Sequence, residues 1–191
     1  AKGDMYYILY EKINGISLYE YTKGIKTDKQ IDMLNTYILQ ILFSIIIAQK
    51  EFGFVHNDLH TGNIIIRKLP SLTDITYTID GIDYTIQTDA IATIIDYGYS
   101  KVTYQGVNIG TEIQNNHNIL PYLTGRGLDI TKILFTCLKN FSSVYTPFTP
   151  QFHKLFWIIS CYNEFNFDYF DVCKHFKNNP VTTTVIIKNL K

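Results

Sequence analysis

The chain has 191 residues, 17 Lys+Arg balanced by 17 Asp+Glu, and 46% apolar residues. That is one domain, or one large lobe of a bigger one, with enough apolar side chain to bury a core. Zero net charge removes the electrostatic argument for nonspecific attachment to nucleic acid or an acidic membrane, and 5 Pro with 11 Gly argue against a long disordered tail.

Residues 5–12 (MYYILYEK) are rich in β-branched and aromatic side chains and predict a strand, which Asn14-Gly15 ends. Ser17-Leu18-Tyr19-Glu20 has capping-box spacing and predicts a short helix. Thr27-Asp28-Lys29-Gln30 repeats that signal before a long helix, roughly residues 30–52. Ile31, Leu34, Ile38, Ile41, Leu42 and Ile45 recur there at helical spacing, and Gly53 is the expected stop. Its most apolar run, 38–48, contains Gln40 and Ser44 and is about half the ~20 residues that a spanning helix needs, so it reads as a core helix. The start, Ala-Lys-Gly-Asp, is unlike a signal peptide, and the expectation is a cut through a larger protein.

Residues 54–63 (FVHNDLHTGN) form a polar, turn-rich interruption between apolar segments. A short buried strand follows at 64–66, then two alternating runs, 75–79 and 82–86, joined by Asp80-Gly81, a strong hairpin signal. Residues 92–95 predict another strand, ending at Asp96-Tyr97-Gly98. Residues 101–127 read as a long irregular loop, and 129–138 and 152–161 as apolar helices. Cys137, Cys161 and Cys173 form no C-x-x-C pair, which favours reduced, inert thiols in an intracellular protein.

Three polar side chains carry the candidate chemistry. Asp58 and Asn63 have D-x-x-x-x-N spacing with His56 two residues before, and Asp96 ends an apolar strand beside a glycine. A carboxylate and an amide oxygen of this kind suit Mg²⁺, which fills its remaining positions with water and phosphate oxygens. Asp58 would then face an acceptor hydroxyl, as phosphoryl transfer requires. The spacing alone is a weak motif; a long apolar helix before it, a strand after it and a second strand ending in D-aromatic-G give it force. His56, Asp58 and His60 also form H-x-D-x-H, a possible metal cluster, but nothing downstream supplies further histidine ligands convincingly.

These residues resemble a eukaryotic-type protein kinase: His56-Asn57-Asp58-Leu59 to Asn63 is similar to the catalytic loop H-R-D-L-x-x-x-N, and Asp96-Tyr97-Gly98 to D-F-G. Within that superfamily the chain most resembles haspin-like kinases and the related Ser/Thr kinases of large DNA viruses. The residues that carry this are HNDLHTGN, the inserted Tyr-Thr-Ile-Asp-Gly hairpin, the Ile-Ile-Asp-Tyr after it, and Asp129-Ile130 followed by Lys132, like the family's D-I-Y-[KR] helix. The resemblance spans residues 5 to about 140. It implies an α+β fold: a mainly helical carboxy-terminal lobe with short strands and an inserted hairpin, the amino-terminal lobe being absent except for its last strand. Residues 1–16 would be that strand and the hinge, and 17–191 the lobe, with catalytic loop 54–63, inserted hairpin 74–88 and activation segment 96–127.

The resemblance also implies ATP and Mg²⁺ as cofactors. Asp58 would be the catalytic base, with His60 where many Ser/Thr kinases have a phosphate-contacting lysine. Asn63 and Asp96 would be the metal ligands. Tyr10 would be the gatekeeper, Glu11 and Ile13 would offer backbone groups to adenine, Ile65 would floor its pocket, and Ser17 would lie near the ribose, although capping explains it equally well. His56 would pack under the turn formed by Tyr97 and Gly98. Asp129 would brace the catalytic loop, a plain helix N-terminal carboxylate being the alternative. The implied partners are a protein substrate and the missing lobe of the parent chain, without direct nucleic acid or membrane contact, and the implied location is the cytoplasm or nucleus, of a host cell if the source is viral. Asn57 replaces the usual arginine, no A-P-E follows, and no Gly-rich loop, V-A-I-K lysine or helix-borne Glu is present. The expectation is therefore a fragment that is inactive alone. A small-molecule phosphotransferase of the aminoglycoside or choline type, and a non-catalytic binding module, are the competing functions; the hairpin with D-Y-G favours the haspin-like side over the first.

Overall fold

The computed structural model describes residues 9–110 and 126–142. In chain order it contains β1 (Ile16–Ser17), α1 (Leu18–Lys23), α2 (Asp28–Phe52), one turn of 3₁₀ helix (Thr61–Asn63), β2 (Ile64–Ile79), β3 (Ile82–Ile94), β4 (Lys101–Tyr104), β5 (Val107–Gly110) and α3 (Arg126–Ser142). The two capping boxes start the first two helices. Ser17 Oγ accepts from Glu20 N–H and the Glu20 carboxylate accepts from Ser17 N–H, both at 3.1 Å. Thr27 and Gln30 repeat the exchange for α2. Gly53 ends α2 at φ 56°, a left-handed cap that a side chain would strain.

α2 is the spine of the core. By length and composition it could cross a membrane, but Ile31, Leu34, Ile38, Ile41, Leu42, Ile45 and Ile46 are all buried within the protein. Gln40, also buried, explains why such an apolar helix has an amide at its centre. Its Oε1 accepts from Ala92 N–H (3.0 Å) and its Nε2 donates to Ala90 O (3.1 Å), so the helix is latched to β3.

The main sheet has the order β1-β2-β3, antiparallel throughout. β2 and β3 pair from Ile64↔Ile94 to Lys68↔Ala90, lose register, and resume from Thr73↔Thr88 to Ile79↔Ile82. The irregularity contains Pro70, which has no N–H to offer a ladder. Asp80 (φ 53°) and Gly81 (φ 75°) make the two-residue turn, and on the ribbon's inner face Tyr77 and Tyr84 pack on Phe43 of α2 with ring centroids 5.3 and 5.1 Å apart. α3 packs against α1, α2 and the 3₁₀ turn, burying Ile130, Ile133, Leu134 and Cys137. Burial pushes the Cys137 thiol up, so this cysteine is inert core.

The class is α+β, but the described residues do not support a mainly helical lobe with short strands: five strands accompany three α-helices, and two of the strands are long. The segments expected at 64–66 and 75–79 are one 16-residue strand, and those at 82–86 and 92–95 join in one of 13. A bulge absorbs the break at Pro70, so ladder hydrogen bonding continues on both sides of it. The first strand also differs. Residues 9–14 have no regular structure and lie outside the ladder; strand pairing begins at Ile16. Residues 5–8 and the helix expected at 152–161 lie outside the described residues, as do Cys161 and Cys173. Within the expected irregular loop, 101–110 is a hairpin, β4 pairing with β5 from Lys101↔Gly110 to Tyr104↔Val107.

Candidate active site

The loop from His56 to Asn63 leaves the C-terminal end of α2 and enters β2, and three sets of bonds hold it. From below, the buried Asp129 of α3 accepts from the backbone N–H of His56 (2.6 Å) and of Asn57 (2.8 Å). From the side, His56 Nε2 meets Ile95 O at 3.0 Å, and Ile95 N–H donates to Asn63 O at 3.0 Å. At the far end, Thr61 N–H donates to Thr136 Oγ1 (3.3 Å) and Asn140 donates to Thr61 Oγ1 (2.8 Å). Buried backbone groups need partners, and α3 supplies several.

These constraints bring Asp58 and Asn63 together. Asn63 Nδ2 donates to Asp58 O at 3.0 Å and lies 3.4 Å from Asp58 Oδ2, leaving the Asn63 amide oxygen as its remaining polar atom. Asp96 stands one residue beyond the Ile95–Asn63 bond, so its backbone is tied beside that of Asn63. It is exposed, at φ 63°, and its Oδ1 lies 3.4 Å from Gly98 N. Asn57 is left-handed too, at φ 67°. Asn and Asp are the non-glycine residues that tolerate this region, so residue type and backbone agree at both places.

His60 Nε2 lies 3.7 Å from Asp58 Oδ2, and its Nδ1 accepts from Gly62 N–H at 3.0 Å. Desolvation lowers the His60 pKa from its usual 6.5; the Asp58 carboxylate opposes that shift, and Lys132 adds to it. Burial pushes the Asp129 carboxyl above the usual carboxylate range, against the pull of its two backbone donors and of His56 and Lys132. His56 is fully buried, its ring 5.5 Å from that of Tyr97. Gly98 follows in the turn, whose exit Asn57 holds by donating to Tyr99 O at 2.8 Å. Val55 and Lys101 then exchange two backbone bonds, at 2.9 and 2.8 Å.

The residues expected at the nucleotide are less uniformly gathered. Ser17 pairs with Ile65 across β1 and β2, and Ile65 lies against Gly15. Ser17 is committed to Glu20 through both its hydroxyl and its N–H, so capping is the role observed. Ile13 is half-buried, while Tyr10 and Glu11 are exposed on a segment without regular structure. Lys132 was not expected as a site residue. Its ammonium contacts Asp58 Oδ1, although its side chain is only 8% exposed. The available signal was its i+3 spacing from Asp129, which places both on one helix face.

No family model matches the chain. Among curated proteins, it is 33% identical over 131 residues to probable kinase 098L of Invertebrate iridescent virus 3, a match covering 69% of this chain and 24% of that protein. It is 33% identical over 104 residues to a probable serine/threonine-protein kinase of Dictyostelium discoideum, covering 50% of this chain and 8% of the relative. With serine/threonine-protein kinase haspin of Mus musculus the identity is 30% over 113 residues, covering 57% and 14%. The matches thus span about a quarter or less of these relatives' lengths. The chain is kinase-like, and haspin-like and viral kinases are among its relatives.

Proposed function

We propose that the chain is the carboxy-terminal lobe of an intracellular protein kinase that transfers the γ-phosphoryl group of ATP to Ser/Thr hydroxyls of a protein substrate. The observation that carries this reading is the grouping of Asp58 and Asn63 on one braced loop, with Asp96 one residue beyond the bond from Ile95 to Asn63. Asp58 orients the acceptor hydroxyl and accepts its proton, with His60 beside it. The Asn63 amide oxygen and the Asp96 carboxylate would hold Mg²⁺, a donor set that fits a hard cation. When bound, the ion neutralises charge on the phosphates. Ile65, with Ile13 nearby on the approach to β1, would form the adenine side of the cleft. Asn57, uncharged and donating to Tyr99 O, offers no cation for a phosphorylated activation segment to pair with.

The test uses the full-length parent protein with Mg·ATP, offering histone-like peptides in one arm and amino sugars or choline in the other. We expect transfer to Ser/Thr of the peptide, abolished by Asp58→Asn. Transfer only to the small molecules would replace this reading with a small-molecule phosphotransferase. No nucleotide binding by calorimetry, with the whole chain present, would favour a binding module.

A further inference from the structure

Among the described residues, α3 supplies the ammonium that reaches into the braced loop. Asp129 and Lys132, three residues apart, divide the work: Asp129 takes backbone donors of the loop, and Lys132 takes the Asp58 side chain. A nearly buried ammonium is costly to place unless it is paired, so this contact is built into the fold and differs from a surface ion pair. It also divides the carboxylate. Oδ1 is held by Lys132, whereas Oδ2 has only longer contacts, 3.4 Å to Asn63 Nδ2 and 3.7 Å to His60 Nε2, on a side chain still 25% exposed. His60 cannot do the same work. Its Nδ1 is occupied by Gly62 N–H, and its Nε2 is beyond hydrogen-bond reach of Asp58.

We propose that Lys132 is a positioning residue for phosphoryl transfer: it grips Asp58 by Oδ1 so that Oδ2 faces the acceptor hydroxyl. This rests on the kinase reading above. In that step the acceptor oxygen forms its bond to the γ-phosphorus while its proton passes to Asp58 Oδ2. The bond from the γ-phosphorus to the β,γ-bridging oxygen breaks, and ADP leaves with the electron pair. Lys132 makes and breaks no bond; it sets the direction of the accepting oxygen.

Steady-state kinetics of the full-length protein with Mg·ATP and a histone-like peptide test the assignment. Loss of orientation at a reacting group costs on the order of 100-fold, so Lys132→Met should lower kcat by about that factor and leave the KM for ATP within about threefold. Lys132→Arg, which keeps charge and reach, should restore most of the rate. In an Asp58→Asn background, Lys132→Met should add almost nothing, because the two residues act as a unit. If Lys132→Met does not fold, Lys132→Gln carries the same expectation, being too short to grip Oδ1. Wild-type kcat in the Met or Gln variant, with Asp58→Asn inactive, overturns this proposal and leaves the kinase reading standing. A parallel loss of kcat, ATP affinity and melting temperature that Arg does not rescue overturns it too, as a purely structural role. A folded wild-type protein that transfers no phosphate, or an Asp58→Asn variant with full activity, removes both.

Discussion

His56 and His60 each commit one ring nitrogen as an acceptor, which decides where a neutral ring keeps its proton. His56 Nδ1 accepts from Asp58 N–H at 3.3 Å, so Nε2 carries the proton toward Ile95 O. His60 Nδ1 accepts from Gly62 N–H, so Nε2 carries it toward Asp58. Because desolvation dominates, we predict that His60 titrates below 6.5 by NMR, lower still in Asp58→Asn and higher in Lys132→Met. Unchanged titration in both variants would refute that electrostatic account. The linkage sign follows: a folded pKa below the unfolded one gives a contribution to stability that is complete above about 6.5 and is lost as pH falls through the folded value. At Asp129, the amide of Asp129→Asn has one acceptor oxygen for two backbone donors. We predict a loss of about 1–3 kcal/mol in denaturant unfolding; a melt superimposable on wild type would contradict the bracing role. Spacing within the sequence already grouped Asp58 with Asn63. The spacing of Lys132 from Asp129 put the two on one helix face, but it did not name Asp58, 74 positions away, as the partner of Lys132.

Among the elements, those with chemical punctuation at their ends were the easiest to read. Two capping boxes, the Gly53 stop and the Asp80-Gly81 turn use local bonds and permitted backbone angles, so they were visible before any packing was known. The β4–β5 turn was not legible in the same way: Gln105 (φ 50°) and Gly106 (φ 78°) form the same kind of turn without the usual Asn or Asp. The length of β2 and β3 also escaped, because whether a ladder resumes after Pro70 depends on the partner strand. Two substitutions test the element contacts. Gln40→Leu should cost about 1–3 kcal/mol in thermal or urea unfolding, since it strands Ala92 N–H on β3 and leaves Ala90 O with the Thr88 hydroxyl but without the Gln40 amide; unaltered stability would mean that the latch is dispensable. A Cβ on Gly15 would sit 2.3 Å from Ile66 O and 2.7 Å from Ile65 Cγ2, so we predict that Gly15→Ala destabilises by about 1–3 kcal/mol through overpacking. On the kinase reading, in which Ile65 floors the adenine pocket, it should also weaken nucleotide binding by the parent protein, because the added Cβ presses on Ile65 Cγ2; calorimetry gives the answer.

At the scale of the whole molecule, the described part joins an α2 core to a sheet and places the candidate site where the loop before β2 meets the turn after β3, over α3. On the kinase reading, no Gly-rich loop or V-A-I-K lysine occurs in these 191 residues to hold the ATP phosphates. We predict that they alone transfer phosphate no faster than Asp58→Asn, and that joining them to the rest of the parent chain restores the reaction. Robust transfer by the isolated chain would contradict that division of labour. The amino-acid sequence by itself determined the helix starts, the main turns, the apolar face of α2 and the five-residue spacing of Asp58 and Asn63, because those depend on neighbours a few residues away. Only the tertiary structure decided that β2 and β3 run on past Pro70, that Gln40 latches β3, and that Lys132 meets Asp58. Those outcomes require a buried polar group to choose among distant partners, and that choice is settled when the core closes around it.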